Sequence, residues 1–86
     1  MQIEYSKSAA KAIQRMEKRL RLRIREAIER LTQNPPEGDI KPLQGFTDGR
    51  YRLRVGGYRV IYRYDSRGEL IVLYVMDIGS RGDIYK

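Results

Sequence analysis

Between residues 50 and 63, Arg50, Arg52, Arg54, Arg59 and Arg63 recur at alternating positions on either side of the dipeptide Gly56-Gly57. Arginine carries a planar fork of N–H donors that matches phosphate oxygens two at a time, and it stays charged at any biological pH. Gly-Gly is a two-residue hairpin signal, because a type I′ turn needs positive φ at both central residues. With the turn placed there, Val55 pairs with Tyr58, Arg54 with Arg59, Arg52 with Ile61 and Arg50 with Arg63. Side chains alternate faces along a strand. One face of the hairpin therefore holds Arg50, Arg52, Arg54, Arg59, Ile61 and Arg63, and the other holds Tyr51, Leu53, Val55, Tyr58, Val60, Tyr62 and Tyr64. The first face is expected to be a field of five arginines with no acid among them. Like charges directly opposed across two strands cost a few tenths to about 1 kcal/mol. Folding gains nothing from that arrangement, whereas a polyanion would relieve it. The alternative is a solvated face that blunts the sheet against aggregation, a task usually given to lysine and mixed charge.

The rest of the composition narrows the chemistry. The chain has 86 residues, with 18 Lys and Arg, 13 of them Arg, against 11 acids, for a formal charge of +7. There is no histidine and no cysteine. That removes the Ser-His-Asp triad, a cysteine nucleophile, disulfides, thiolate zinc sites and imidazole metal ligands. The acids are scattered, with no paired cluster to hold a hard cation, so neither a metal nor an organic cofactor is expected. No stretch approaches the ~20 apolar residues that span a bilayer, and the N-terminus has no apolar core of a signal peptide. The expectation is one cytoplasmic domain over residues 1–86 that meets nucleic acid, an acidic protein or both.

The elements that must position these arginines follow from periodicity. Residues 2–5 alternate and read as a short strand. Ser6 is a good N-cap for a helical stretch running to about Gln33, with an apolar stripe at Ala9, Ile13, Met16, Leu20, Ile24, Ala27, Ile28 and Leu31. A break near Glu17–Arg19 would fold it into a helical hairpin. Asn34-Pro35-Pro36 ends it. Residues 37–49 read as loop, followed by strands at 50–55, 58–64 and 70–78, with a second turn at Asp65-Ser66-Arg67-Gly68. The strand at 70–78 is apolar on both faces and belongs inside the sheet. The fold class is α+β, a short strand and two-helix hairpin on one face of a small, mainly antiparallel sheet in the order β-α-α-β-β-β. Arg19, Arg21, Arg23 and Arg25 read as a solvated face or a partner surface. Tyr85, taken alone, reads as a packing anchor.

The helix followed by Asn-Pro, the segment KPLQG…GRYRLRVGGYRVIYRY and the closing DIGSRGDIY resemble the RelE/ParE toxins of type II toxin–antitoxin systems. The resemblance covers nearly the whole chain and is strongest over residues 41–64 and 77–85. It implies the RelE/ParE fold and one of two activities: ribosome-dependent cleavage of mRNA in the A site (RelE branch) or inhibition of DNA gyrase (ParE branch). The RelE positions fall on Arg52 and Arg54 of the first hairpin strand, on Arg59, on Arg81 and on Tyr85. The first-strand residues are lysines in the best-studied pattern and arginines here. The Arg81-to-Tyr85 spacing is shorter, and Ser80 stands where several relatives carry histidine.

What the resemblance implies is a metal-independent attack of an mRNA 2′-OH on its own 3′-phosphate. Arg59 and Arg81 would meet the scissile phosphate, with Arg52, Arg54 and their neighbours Arg50 and Arg63 on the RNA backbone. Tyr85 would stack on a base or move the proton. The base is left open between Tyr85 with a lowered pKa, an unusual deprotonated arginine and ribosomal RNA. The implied partners are a cognate antitoxin, RelB-like or another small one, and the ribosome (30S A site, 16S rRNA) with its mRNA. No membrane is involved.

Overall fold

Ser6 decides how the chain enters its first helix. Its backbone is extended, with φ −66° and ψ 165°. Its Oγ accepts a hydrogen bond from the Ala9 amide at 3.0 Å and donates one to the Met76 carbonyl at 2.6 Å. One hydroxyl thus satisfies an amide that the helix leaves unpaired and fastens the helix start to a strand 70 residues away. The computed structural model describes residues 1–80.

The elements are β1 (Gln2–Tyr5), α1 (Lys7–Gln14), α2 (Lys18–Glu29), a single 3₁₀ turn (Arg30–Thr32), β2 (Asp39–Pro42), β3 (Tyr51–Val55), β4 (Tyr58–Arg67) and β5 (Leu70–Ser80). The helical hairpin is present, with its break at residues 15–17, slightly earlier than expected. Glu17 takes an extended conformation, φ −66° and ψ 160°, and α2 starts after it. The restart brings Ile13 of α1 and Ile24, Ala27 and Ile28 of α2 into one core.

The five strands form one sheet in the order β1-β5-β4-β3-β2. β1 runs parallel to β5, and all other neighbours are antiparallel. As expected, β5 is interior, paired on both sides. Several boundaries differ from the sequence expectation, with β3 starting at Tyr51 and β5 running on to Ser80. Residues 39–42, read as loop, form the edge strand β2, with Asp39 opposite Arg54, Ile40 opposite Leu53 and Lys41 opposite Arg52. Pro42 is tolerated there because an edge strand has one side with no ladder to supply. Gly38 leads into this strand with φ +140°, and a Cβ in its place would lie 2.7 Å from Leu53 Cδ1. The second turn is the two residues after Arg67, so β4 continues past Tyr64 to pair Arg67 with Leu70.

The hairpin register is the expected one for Val55–Tyr58, Arg54–Arg59 and Arg52–Ile61. The turn itself differs. Gly56 alone of the two glycines has positive φ, +60°, the pattern of a type II′ turn rather than type I′. Both primed turns match the twist of the strands they join, so the register survives the change.

The helices cover one face of the sheet. Ala9, Ile13, Ile24, Ala27, Ile28 and Leu31 meet Leu53, Val60, Tyr62, Leu73, Val75 and Ile78. Tyr51 stacks on Tyr62 with centroids 5.6 Å apart, and Tyr64 meets Tyr62 edge-on at 5.7 Å. The Tyr64 hydroxyl donates to the Leu31 carbonyl at 2.7 Å, closing the end of the helical segment onto β4. Between Ile61 and Tyr62 the β4–β5 register shifts, because Met76 is an extra residue on β5. It is the carbonyl of this bulge residue that Ser6 grips, while the Ser6 amide donates to the Val75 carbonyl at 2.9 Å.

Candidate nucleic-acid interface

The sheet face away from the helices carries the hairpin arginines. Pairing across the strands arranges them in rows. One row reads Asp39, Arg54, Arg59, Gly79 across β2, β3, β4 and β5. The next reads Lys41, Arg52, Ile61, Asp77. The direct opposition of Arg54 and Arg59 is therefore real, and Gly79 adds no side chain on the far side of Arg59.

The expectation of a face without acids is corrected. Among the described residues, three aspartates form ion pairs with its arginines, from β2, from the loop before β3 and from β4. Asp39 is shared, with Oδ2 3.0 Å from Arg54 Nε and Oδ1 3.3 Å from Arg52 Nη2. Asp48 is also shared. Its carboxylate accepts from Arg50 Nε at 2.9 Å and 3.0 Å and from Arg63 Nη1 at 3.0 Å. Asp65 Oδ1 accepts from Arg63 Nε at 2.7 Å. The repulsion between arginines is thus offset largely from within the chain.

These pairings separate residues that looked equivalent. Arg52 is buried, only 9% exposed, and among the described residues its Nε has no hydrogen-bond partner. Arg63 is held by Asp48 and Asp65 and lies 5.2 Å from the Tyr74 ring centroid. The hydrogen bond that Arg63 donates to Asp65, more than any other contact, raises the pKa of Arg63 above its ordinary value. Arg50 precedes β3 rather than lying in it, and its Cζ sits 4.2 Å from the centroid of Phe46. Arg54 is the most open of the four ion-paired arginines on this face, with its side chain 53% exposed. Arg59 is half-buried on the central strand of this row. Partial desolvation pushes the Asp48 carboxyl up, but hydrogen bonds and charge from Arg50 and then Arg63 outweigh it and hold the group below the usual carboxylate range.

Arg50, Arg52, Arg54, Arg59 and Arg63 all belong to this face or its rim. Arg81 and Tyr85 lie outside the described residues. Among the described residues there is no cluster of three or more His, Cys, Asp or Glu side chains able to hold a metal ion. None of the described helices is long and apolar enough to cross a membrane. On α2, Arg19, Arg23 and Arg25 are exposed and Arg21 is half-buried, and the Arg23 guanidinium reaches the β3–β4 turn, 3.4 Å from where a Cβ on Gly56 would lie. Sequence reasoning missed Asp39, Asp48 and Phe46. Asp65 was visible in principle, since it lies two residues after Arg63 and shares its face.

A sequence profile describing the ParE toxin of type II toxin–antitoxin systems matches residues 3–85. The chain belongs to this family. Solved structures agree. The toxin is 30% identical to the protein in the archaeal RelE–RelB complex from Pyrococcus horikoshii, with a TM-score of 0.74, 95% of this chain and 96% of that one covered. It shares its fold with the YoeB/ParE toxin from Agrobacterium tumefaciens, at 23% identity and a TM-score of 0.78, over 94% of this chain and 99% of that one. The isolated Escherichia coli RelE toxin has the same fold, at 22% identity and a TM-score of 0.71, over 98% and 89% of the two chains. No curated protein is significantly similar in sequence. The toxin is thus a member of the RelE/ParE superfamily with its α+β fold.

Proposed function

We propose that this toxin is a ribosome-dependent mRNA endonuclease of the RelE type, held in check by a small antitoxin. The observation that carries the reading is the Arg54–Arg59 opposition on the helix-free face, two guanidinium-bearing side chains directly across from each other beside a glycine. Asp39 meets Arg54 in an exposed ion pair, and two facing guanidinium groups are well matched to adjacent phosphates of an RNA strand.

In the reaction, the mRNA 2′-oxygen bonds to the adjacent phosphorus as the P–O5′ bond breaks. The 2′-OH proton leaves to a base and the departing 5′-oxygen takes up a proton, giving a 2′,3′-cyclic phosphate and a free 5′-OH. Charge builds on the phosphate oxygens at the transition state, and fixed guanidiniums aimed there lower the barrier. Arg59 and Arg81 take that role. Arg54, with Arg50 at the rim, holds the backbone. Arg52 and Arg63 act chiefly by fixing the aspartates around them, since one is buried and the other is held by two carboxylates. Tyr85 stacks on a base or moves the proton. The antitoxin follows from the relatives, several of which are toxins solved in antitoxin complexes, among them a RelB–RelE complex from Methanococcus jannaschii.

A second reading follows from the family profile, which is that of ParE toxins: inhibition of DNA gyrase by a protein contact without nuclease chemistry. Inducing the toxin in cells, mapping new mRNA 5′ ends and following plasmid supercoiling in parallel separates the two. The nuclease reading expects codon-phased mRNA 5′ ends with supercoiling unchanged, and Arg59→Ala to abolish both cleavage and toxicity. Loss of supercoiling without new 5′ ends would overturn it.

A further inference from the structure

Beyond the arginine rows, the loop between β2 and β3 carries the chain's single phenylalanine, and it is 40% exposed. A large apolar ring left in water is a cost unless something covers it. Phe46 has one face against the Arg50 guanidinium, 4.2 Å away. The loop is anchored at its base by a hydrogen bond from the Leu43 amide to the Arg50 carbonyl at 3.0 Å. It is anchored again at Asp48, whose carboxylate binds Arg50 of the loop and Arg63 of β4. The planar pair of Phe46 and Arg50 is thereby held in fixed relation to the arginine face.

Aromatic rings and arginine planes are the surfaces on which unpaired nucleobases stack. We infer that Phe46 and Arg50 form a stacking platform for an unpaired base of the same single-stranded RNA whose phosphates lie on Arg54 and Arg59. The inference rests on the nuclease reading for the identity of that RNA. Arg50 and Arg54 are four residues apart, about 13 Å of strand, a distance that a few nucleotides of extended RNA cover. Asp48 serves the platform as a positioning residue. It holds Arg50 over the ring.

The chain has no tryptophan, so Phe46→Trp installs a sole indole reporter in the full-length protein. Titration with a short single-stranded oligoadenylate should quench its emission, and inorganic polyphosphate, which offers the same charge without bases, should leave it unchanged. Labelled-oligonucleotide anisotropy follows binding in the same samples. Phe46→Ala should weaken oligoadenylate binding by roughly 5- to 100-fold, while Phe46→Tyr stays close to the parent, and unchanged thermal melts confirm that each variant is folded. Oligoadenylate that binds without quenching the indole would overturn the platform and leave the nuclease reading standing. Equal quenching by polyphosphate would overturn it in the same way. Failure of the folded parent to bind RNA at all, alone or on programmed ribosomes, would overturn both.

Discussion

Asp39 divides its two carboxylate oxygens between Arg52, which is buried, and Arg54, which is open to solvent. A single acid on an edge strand therefore serves two arginines of the next strand that have different work to do. The buried one needs the carboxylate for stability. The open one holds it in an exposed ion pair, of a kind that contributes little to stability.

That difference predicts opposite phenotypes for two neighbouring substitutions. Arg52→Ala should destabilise the fold by about 1–3 kcal/mol, because it opens a void and strips Asp39 of a partner. Arg54→Ala should change stability by less than about 1 kcal/mol, as exposed ion pairs do, while weakening RNA binding. Urea unfolding of both variants, beside RNA binding, checks the pair. Equal stability losses would mean that burial of Arg52 has no energetic role.

Salt dependence reads out phosphate binding. Removing one guanidinium from a phosphate should lower the log–log dependence of RNA affinity on salt by roughly 0.7. Arg54→Ala and Arg59→Ala should each do so, and Arg19→Ala and Arg25→Ala on α2 should not. A helix substitution that flattens the slope as much as a hairpin substitution would put the RNA on the other side of the molecule.

Acid should loosen the loop before β3. The Asp48 carboxyl is depressed in the folded chain, so its ion pairs contribute stability above the ordinary carboxylate pKa, near 4. That contribution is lost as pH falls below this value and through the lower folded one. Asp48→Asn should remove this part of the pH dependence and leave the remainder. Thermal melts between neutral pH and about pH 2 would show it, and a parent and variant with parallel profiles would refute it.

Ser6 supports a three-way comparison. Ser6→Ala should cost about 1–2 kcal/mol, in the upper range for removal of a helix cap, because it deletes both the Ala9 cap and the tie to Met76. Ser6→Asp keeps the acceptor for Ala9 and loses the donor to the Met76 carbonyl, placing a carboxylate beside that oxygen instead. Ser6→Thr retains both. Stability should therefore rank serine, threonine, then the other two. An aspartate variant as stable as the parent would show that the tie to β5 adds nothing.

How much was legible beforehand depended on the range of the interaction. The hairpin from Tyr51 to Tyr64 could be placed residue by residue, because Gly56-Gly57 fixes the loop length and alternation fixes the faces. β2 could not. Asp39-Ile40-Lys41-Pro42 has one aliphatic residue and a proline, and it becomes a strand only by pairing with β3, a case of context deciding over propensity. The same limit hid the acids. Asp48 and Arg63 are 15 residues apart, and nothing local says that the loop returns over the sheet. Burial of Arg52 was equally invisible, since alternation names its face without saying how deeply that face is covered at its centre.

The position of β5 has a consequence for how the chain comes into being. It is the last-made of the described elements, yet β1 and β4 both pair with it and α1 is tied to it through Ser6. Chains grow at about 5–20 residues per second and local structure forms far faster. The β3–β4 hairpin can therefore fold on a nascent chain, while β1 has no partner and β4 has one open edge. Sheet closure waits for β5 to be made, and an unpaired strand edge is the kind of surface on which chains associate wrongly. A birth order that withholds an interior strand leaves the β4 edge exposed to aggregation, or to capture by another chain, until β5 has been made.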